Sequence, residues 1–450
     1  MEEIPYVKLF GYNKTKENDP PTCIAVSNAG ISHQKESFEK LREKYRNKEE
    51  LKNLAKKLKK DHHDSVKEHI CLNFDVICSR FLAEFLEMHR IGTAYTEKSQ
   101  RFTTAEDYFI PDSLKNDEII SLVSEQFDAY KEALSRKVPK QDARYVLPLL
   151  TLTKIEFSCN GRALEYIVQK AKSSEIKEIK LFGEKLEKEV KKEDPSIVYL
   201  LDFEAKEYYS KNEELERYIS MLVSREKVTR GATSEEKIVV EVNDGLDNSI
   251  IAATLFSKSV IPYEKCWEIV RNMSEKEKKE LVKKILEPVN MYGKVPRTFE
   301  DSWIRINAVV SASCFAQLKR HRMLTLIPQS YDPYIELTIP ESIEKAGLKD
   351  KYKSLMEKAS EIYIKLKEQG NPEAPYILTN GHGRRILLLM NLRELYEIAR
   401  LRLDKKAQWE IREFFTEVVE EVRKKAPLTS LLLCGRHEFD ERKAALFQKC

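Results

Sequence analysis

Gln317-Leu318-Lys319-Arg320-His321-Arg322-Met323-Leu324-Thr325-Leu326-Ile327-Pro328-Gln329-Ser330 is the stretch on which the reading of the fold turns. An earlier stretch, Phe85-Leu86-Glu87-Met88-His89-Arg90 and on to Ser99, has the same skeleton. Glu68 precedes His89 by 21 residues, and Glu300 precedes His321 by 21. Ser99 and Asn160 are 61 apart, as are Ser330 and Asn391. Each asparagine opens Asn-x-Arg: Asn160-Gly161-Arg162 and Asn391-Leu392-Arg393. Such matched spacings mark an internal repeat, which changes the fold reading of the whole chain.

The surroundings repeat as well. Each copy opens on a short apolar strand, Tyr6 to Phe10 and Ile238 to Val242. Helical spacing of Ala312, Phe315, Ala316 and Lys319 predicts a long amphipathic helix leading into each His-Arg pair. A second long helix is predicted after each Asn-x-Arg. In the second copy it covers about residues 407–425, with Trp409, Phe414, Val418 and Val422 on its core stripe. Each copy ends in a charged helix that stops at Pro195 or Pro427. The join falls in Ser224-Arg225-Glu226-Lys227-Val228-Thr229-Arg230-Gly231-Ala232-Thr233-Ser234, which is polar and aperiodic. The domains are therefore expected at 1–230 and 231–450.

Composition narrows the function classes. Hydrophobic residues are 42% and charged residues 34%, yet the net charge is only +4. The signs are interleaved, as in Glu184-Lys185-Leu186-Glu187-Lys188-Glu189, which favours helix ion pairs over a nucleic-acid footprint. No apolar run reaches the length of a membrane span, and Met1-Glu2-Glu3-Ile4-Pro5 has no signal-peptide character. The eight cysteines are scattered without a C-x-x-C pair, which predicts a reducing, cytoplasmic setting and no metal site. With no G-x-G-x-x-G or P-loop, a nucleotide cofactor would have to bind without those cradles.

The second copy's Arg320-His321-Arg322-x7-Ser330, with Gln317 before it, resembles the signature of the flavin-dependent thymidylate synthase (ThyX) family. Asn391-Leu392-Arg393, Arg402 and Ala407-Gln408-Trp409-Glu410-Ile411 are similar to that family's later motifs. The first copy lacks the leading arginine and has one extra residue before Ser99. It keeps three other features: His63-Asp64-Ser65-Val66-Lys67-Glu68-His69, Ser99-Gln100-Arg101-Phe102, and Ala143-Arg144-Tyr145-Val146-Leu147-Pro148. Singly, these motifs read as a basic helix end, surface residues and a snorkelling arginine; jointly they carry the resemblance.

The resemblance implies an α+β fold. Each copy would hold a small, mostly antiparallel sheet packed with long helices, and the central helices would build the contact between copies. It implies FAD as cofactor, dUMP as substrate, and methylenetetrahydrofolate and NADPH as co-substrates. It also implies a site shared between subunits of a tetramer. Arg402 and Ser99 would be catalytic. Gln317, Arg320, Ser99, Arg101, Arg144 and Arg402 would bind dUMP. Ser65, Glu68, Arg320, His321, Arg322, Asn160, Arg162, Asn391, Arg393 and Lys406 would bind FAD.

The copies have lost complementary sets. The second has Asp332 where the first has Arg101, and Pro375 for Arg144. The first has Phe85 for Gln317, Met88 for Arg320 and Ala171 for Arg402. One kind of composite site is expected, in a homodimer that forms a pseudo-tetramer. Glu397 and Lys406 depart from the family's asparagine and histidine. They leave open an alternative, a degenerate paralogue that binds flavin or nucleotide, or acts as a structural or regulatory partner, without methyl transfer.

Overall fold

A computed structural model describes residues 3–210, 212–224 and 237–447. The expected join near residue 230 lies outside the described residues. The chain divides into two compact units, Met1–Thr229 with Ile339–Asn380, and Arg230–Thr338 with Gly381–Cys450.

The first unit holds a four-stranded sheet of β1 (Tyr6–Tyr12), β2 (Cys71–Ser79), β3 (Thr93–Glu97) and β4 (Leu152–Asn160). Its order is β1-β2-β4-β3, antiparallel throughout. The second unit holds β5 (Ile238–Val242), β6 (Ile304–Ser311), β7 (Thr325–Pro328) and β8 (Gly383–Met390), in the order β5-β6-β8-β7 and again antiparallel. The fold is α+β, and the same topology occurs twice.

Alternation explains the central strands. Along β2, Leu72, Phe74, Val76 and Cys78 are buried and the residues between them are less so. Along β6, Ile304, Ile306, Ala308 and Val310 do the same. Successive side chains leave a strand on opposite faces, so one face of each sheet is apolar and must be covered. In the first unit, Phe74 stacks on Phe157 of β4 at 4.9 Å between ring centroids, beneath Phe182.

A strand and a short helix replace the long helix expected before each His-Arg pair. They are β2 then α1 (Arg80–Glu87) in the first copy. The helix α2 (Asp117–Ser135) follows later, then α3 (Gly161–Lys172) and α4 (Lys177–Glu193). In the second copy β6 leads into α5 (Ala312–Leu318), and α6 (Lys349–Glu368), α7 (Leu392–Arg402) and α8 (Trp409–Lys425) follow. The 3.6-residue period around Ala312 is genuine but lasts only two turns. Upstream of it the β-branched, period-two pattern wins.

A serine makes each switch from strand to helix. Ser79 caps α1 by accepting from the Leu82 N–H at 3.0 Å, and Ser311 caps α5 through Cys314 at the same distance. Each serine hydroxyl in turn donates at 2.6 Å to a glutamate on a later helix, Glu178 of α4 or Glu410 of α8. The backbone N–H of each serine reaches the same carboxylate. Both pairs are 99 residues apart, a repeat spacing that the eye does not find in the sequence.

On α8 the core stripe is Ile411, Phe414, Phe415, Val418, Val419 and Val422. Trp409, expected there, is only half-buried at the first turn. In the first unit α2 packs on α6, with Glu132–Lys351, Glu125–Lys358 and Glu118–Lys365 pairs of 2.7, 3.7 and 3.8 Å along the seam.

Candidate active site

In the first unit, β3 delivers the chain to Ser99, Gln100 and Arg101. The loop closes on Ser99: its carbonyl accepts from Phe102 and Thr103 N–H, and its hydroxyl accepts from the Arg101 N–H at 3.3 Å. Arg101 Nε donates to Gln141 Oε1 at 3.3 Å. Arg144 Nε donates to the Gln141 carbonyl at 3.1 Å, and Arg144 is buried. Gln141 therefore draws together two residues expected to bind one substrate, Arg101 and Arg144. Nothing in the motif pattern singled it out, since a glutamine before Ala-Arg carries no signal of its own. Burial lowers the Arg101 pKa, because desolvation penalises the guanidinium charge. An anionic ligand would offset that penalty.

In the second unit, α5 places Gln317 and then His321. Both are buried, while Arg320 and Arg322 on either side of His321 are exposed. Arg402, at the end of α7, donates through Nε to His321 Nε2 at 3.0 Å and through Nη2 to the Gln317 carbonyl at 3.1 Å. The guanidinium can only donate, so His321 Nε2 is the acceptor and the ring proton sits on Nδ1. Gln317 Nε2 donates to Oε1 of the fully buried Gln408 at 3.2 Å. Gln408 Oε1 also caps α8, accepting from the Ile411 N–H. Gln317, His321 and Arg402 thus lie in one hydrogen-bonded group with Gln408. Ser330 is exposed, two residues beyond β7.

The residues expected at the flavin have firm local roles. Asn160 caps α3 through Ala163 N–H at 2.8 Å, and Asn391 caps α7 through Glu394 N–H at 2.9 Å. Arg162 pairs with Glu68 at 2.8 Å, and Arg393 with Glu300 at 2.9 Å. The repeated Glu and Asn-x-Arg are thus, in both copies, an ion pair and a helix cap. Ser65 and Glu68 are exposed on the 3-10 turn Asp64–His69. Lys406 is exposed beyond α7. The charge of Glu397 faces Arg400, one turn along α7, and raises the arginine's pKa against the stronger pull of burial. Among the described residues no group of three or more His, Cys, Asp or Glu could hold a metal ion, and no helix is long and apolar enough to cross a membrane.

The family model described as thymidylate synthase complementing protein matches residues 12–196 and again 238–428. The chain belongs to that family. Three relatives illustrate the range. A flavin-dependent thymidylate synthase of Sulfurisphaera tokodaii is 40% identical over 119 residues, covering 25% of this chain and 46% of the relative. One from Pseudothermotoga lettingae is 32% identical over 169 residues, covering 34% of this chain and 72% of the relative. A UPF0159 protein of Chlamydia muridarum is 25% identical over 308 residues, covering 65% of this chain and 56% of the relative. The chain spans about half the length of several curated relatives that it matches, 46% and 45% in two cases.

The two thymidylate synthase complementing segments differ where His89 and His321 stand. His89 is buried, and its Nδ1 lies 3.0 Å from the Phe85 carbonyl and 3.3 Å from that of Leu86. Its Nε2, the atom that in the second copy receives Arg402, is buried without a partner. The rings of Phe85 and Tyr166 pack around it at 4.9 and 5.3 Å. Ala171 on α3 supplies no guanidinium. Burial, helped by the Lys170 charge, pushes the His89 pKa down to about 4.

Proposed function

We propose that this chain is an FAD-dependent thymidylate synthase that converts dUMP to dTMP with methylenetetrahydrofolate and NADPH. Its composite site would draw Gln317, Arg320 and Arg402 from the second copy and Ser99, Arg101 and Arg144 from the first. The observation that carries this reading is the complementary pair of clusters. The Arg402–His321–Gln317 cluster survives only in the second copy. The Arg101–Gln141–Arg144 cluster survives only in the first. Uncoordinated decay would have spread losses over both.

The roles follow from the chemistry of the side chains. A phosphate monoester favours arginine forks, which Arg101 and Arg144 offer side by side. Arg402, oriented by His321, is suited to stabilise negative charge developing on a uracil carbonyl. Gln317, tied by Gln408, has one fixed amide orientation for the base. The exposed Arg320 and Arg322 and the helix N-termini at Asn160 and Asn391 would supply a cationic and N–H donor set suited to an anionic flavin diphosphate. Ser65, Glu68, Arg162, Arg393 and Lys406 would complete it. A flavin held there would supply hydride chemistry for completing the methyl group, with NADPH as its reductant.

The test is a visible absorption titration with FAD and then dUMP. A bound-flavin spectrum that shifts with dUMP supports the site, and Arg402→Ala and Arg144→Ala should each then abolish dTMP formation. Flavin binding without a dUMP response would favour the non-methylating paralogue. An Arg402→Ala/Arg144→Ala protein that still made dTMP would overturn the assignment.

A further inference from the structure

The loop that carries Ser99 and Arg101 is tied to the Arg144 turn by a residue from the second copy's sequence. Within the first unit, residues 147–149 pair antiparallel with residues 378–380. Leu149 N–H donates to the Leu378 carbonyl at 2.8 Å, Asn380 N–H donates to the Leu147 carbonyl at 3.0 Å, and Pro148 faces Thr379. Tyr145 to Leu149 and Tyr376 to Asn380 are equivalent stretches of the repeat. Their pairing is therefore a local pseudo-two-fold, in which each equivalent backbone group makes the same bond. The side chains break this symmetry at one end, where Leu149 in the first copy corresponds to Asn380 in the second.

Asn380 is 1% exposed. Its Nδ2 donates to the Arg144 carbonyl at 2.9 Å and to Gln100 Oε1 at 3.3 Å. A carbonyl only accepts, so the Arg144 carbonyl fixes which end of the Asn380 amide faces it, and Gln100 must then present its oxygen. Gln100 lies between Ser99 and Arg101 and is itself buried. One amide thus clamps the loop to the turn through the backbone, while Gln141 ties Arg101 to Arg144 through their side chains. Leu149 has no donor with which to do the same. The turn equivalent to Arg144 carries Pro375, which has no guanidinium to position.

We propose that Asn380 is a positioning residue for dUMP, holding the Ser99–Arg101 loop and the Arg144 turn in one binding geometry. This rests on the dUMP reading above. Two guanidiniums recognise one phosphate only in a fixed mutual position, so a loop released from its clamp should bind the nucleotide more weakly before it loses its fold.

The experiment is dUMP titration of the FAD-loaded protein, read from the flavin absorption. It would compare the unaltered chain, Asn380→Leu, Gln100→Met and the double variant. Each single change should raise the Kd for dUMP about tenfold, the size of one lost hydrogen-bond link. The double variant should be no weaker than Asn380→Leu alone, because both changes cut the same link. KM for dUMP should rise with kcat within about threefold, a split that general destabilisation would not give. Should Asn380→Leu fail to fold, Gln100→Met, which leaves the strand pairing intact, decides the matter. Unchanged dUMP affinity in the folded variants, or fully additive effects, overturns the inference and leaves the synthase reading standing. An unaltered FAD-loaded protein that ignores dUMP removes the synthase reading and this inference with it.

Discussion

His89 and His321 show what one substitution does to its surroundings. In the second copy Arg402 meets the histidine's Nε2. In the first, Ala171 cannot, and aromatic rings fill the space. The folded pKa of His89, about 4, lies below its ordinary 6.5. The unfolded chain therefore binds a proton that the folded chain refuses between those values. The stability of the neutral ring is fully present above pH 6.5 and is lost as pH falls toward 4, by roughly 3 kcal/mol over the window. Denaturant melts of the unaltered chain and His89→Phe at several pH values should show the acid loss shrinking in the variant. An unchanged pH profile would place the acid sensitivity elsewhere. A second expectation concerns Gln408. Gln408→Leu should weaken dUMP binding about tenfold, since Gln317 then loses the amide that orients it. Isothermal titration would show equal affinity if Gln408 served only as a helix cap.

The serine–glutamate clamp is the recurrent device of the secondary-structure elements. Ser79 with Glu178 and Ser311 with Glu410 each join a strand end, a helix start and a distant helix. Burial raises the Glu178 pKa, opposed by its bonds from Ser79 and Tyr376. Ser79→Ala or Ser311→Ala removes a cap and strips a partner from a carboxylate. A cost of about 2 kcal/mol is expected in urea unfolding; a cost under ~0.5 kcal/mol would show the clamp to be incidental. The turn into β3 is tight in a different way. Gly92 has φ +72°, and a Cβ there would come within 2.7 Å of the Asn160 amide that caps α3. Gly92→Ala should therefore destabilise the first unit by roughly 2 kcal/mol, through left-handed strain and a displaced cap. Thermal melting would check it, and an unshifted midpoint would refute the steric argument.

Stoichiometry and complementation bring the whole molecule into view. If each site needs both copies and its reciprocal is dead, FAD should saturate at one per chain, as read by equilibrium dialysis. Two flavins per chain would contradict the asymmetry. Chains carrying Arg144→Ala and chains carrying Arg402→Ala should each be inactive. If the site draws its halves from different chains, re-assembled mixtures should regain about a quarter of the activity, by random pairing of halves in an oligomer. No recovery after verified re-assembly would place both halves in one chain.

The repeat, the opening strands Tyr6–Tyr12 and Ile238–Val242, the helices ending near Pro195 and Pro427, and the motifs from which the site is proposed can all be read along the sequence. These rest on local signals: period, spacing, and residue types that only certain chemistry needs. Gln317, His321 and Arg402 could be grouped in advance because the family motif groups them. The strand-to-short-helix switch before each His-Arg pair is hidden in the sequence, because a two-turn helix and a strand share apolar residues and only burial separates their periods. That α6, with Tyr352, Leu355, Ala359 and Ile362 on its buried face, packs into the first unit emerges only in the folded chain. An amphipathic stripe records that a helix has a partner but not which one. Gln141 and Asn380 carry no motif signal, and the motif that contains Gln408 does not say what its amide meets, for the same reason. An amide's role is set by its hydrogen-bond partners, and those of Gln408 and Asn380 include residues 91 and 280 positions away.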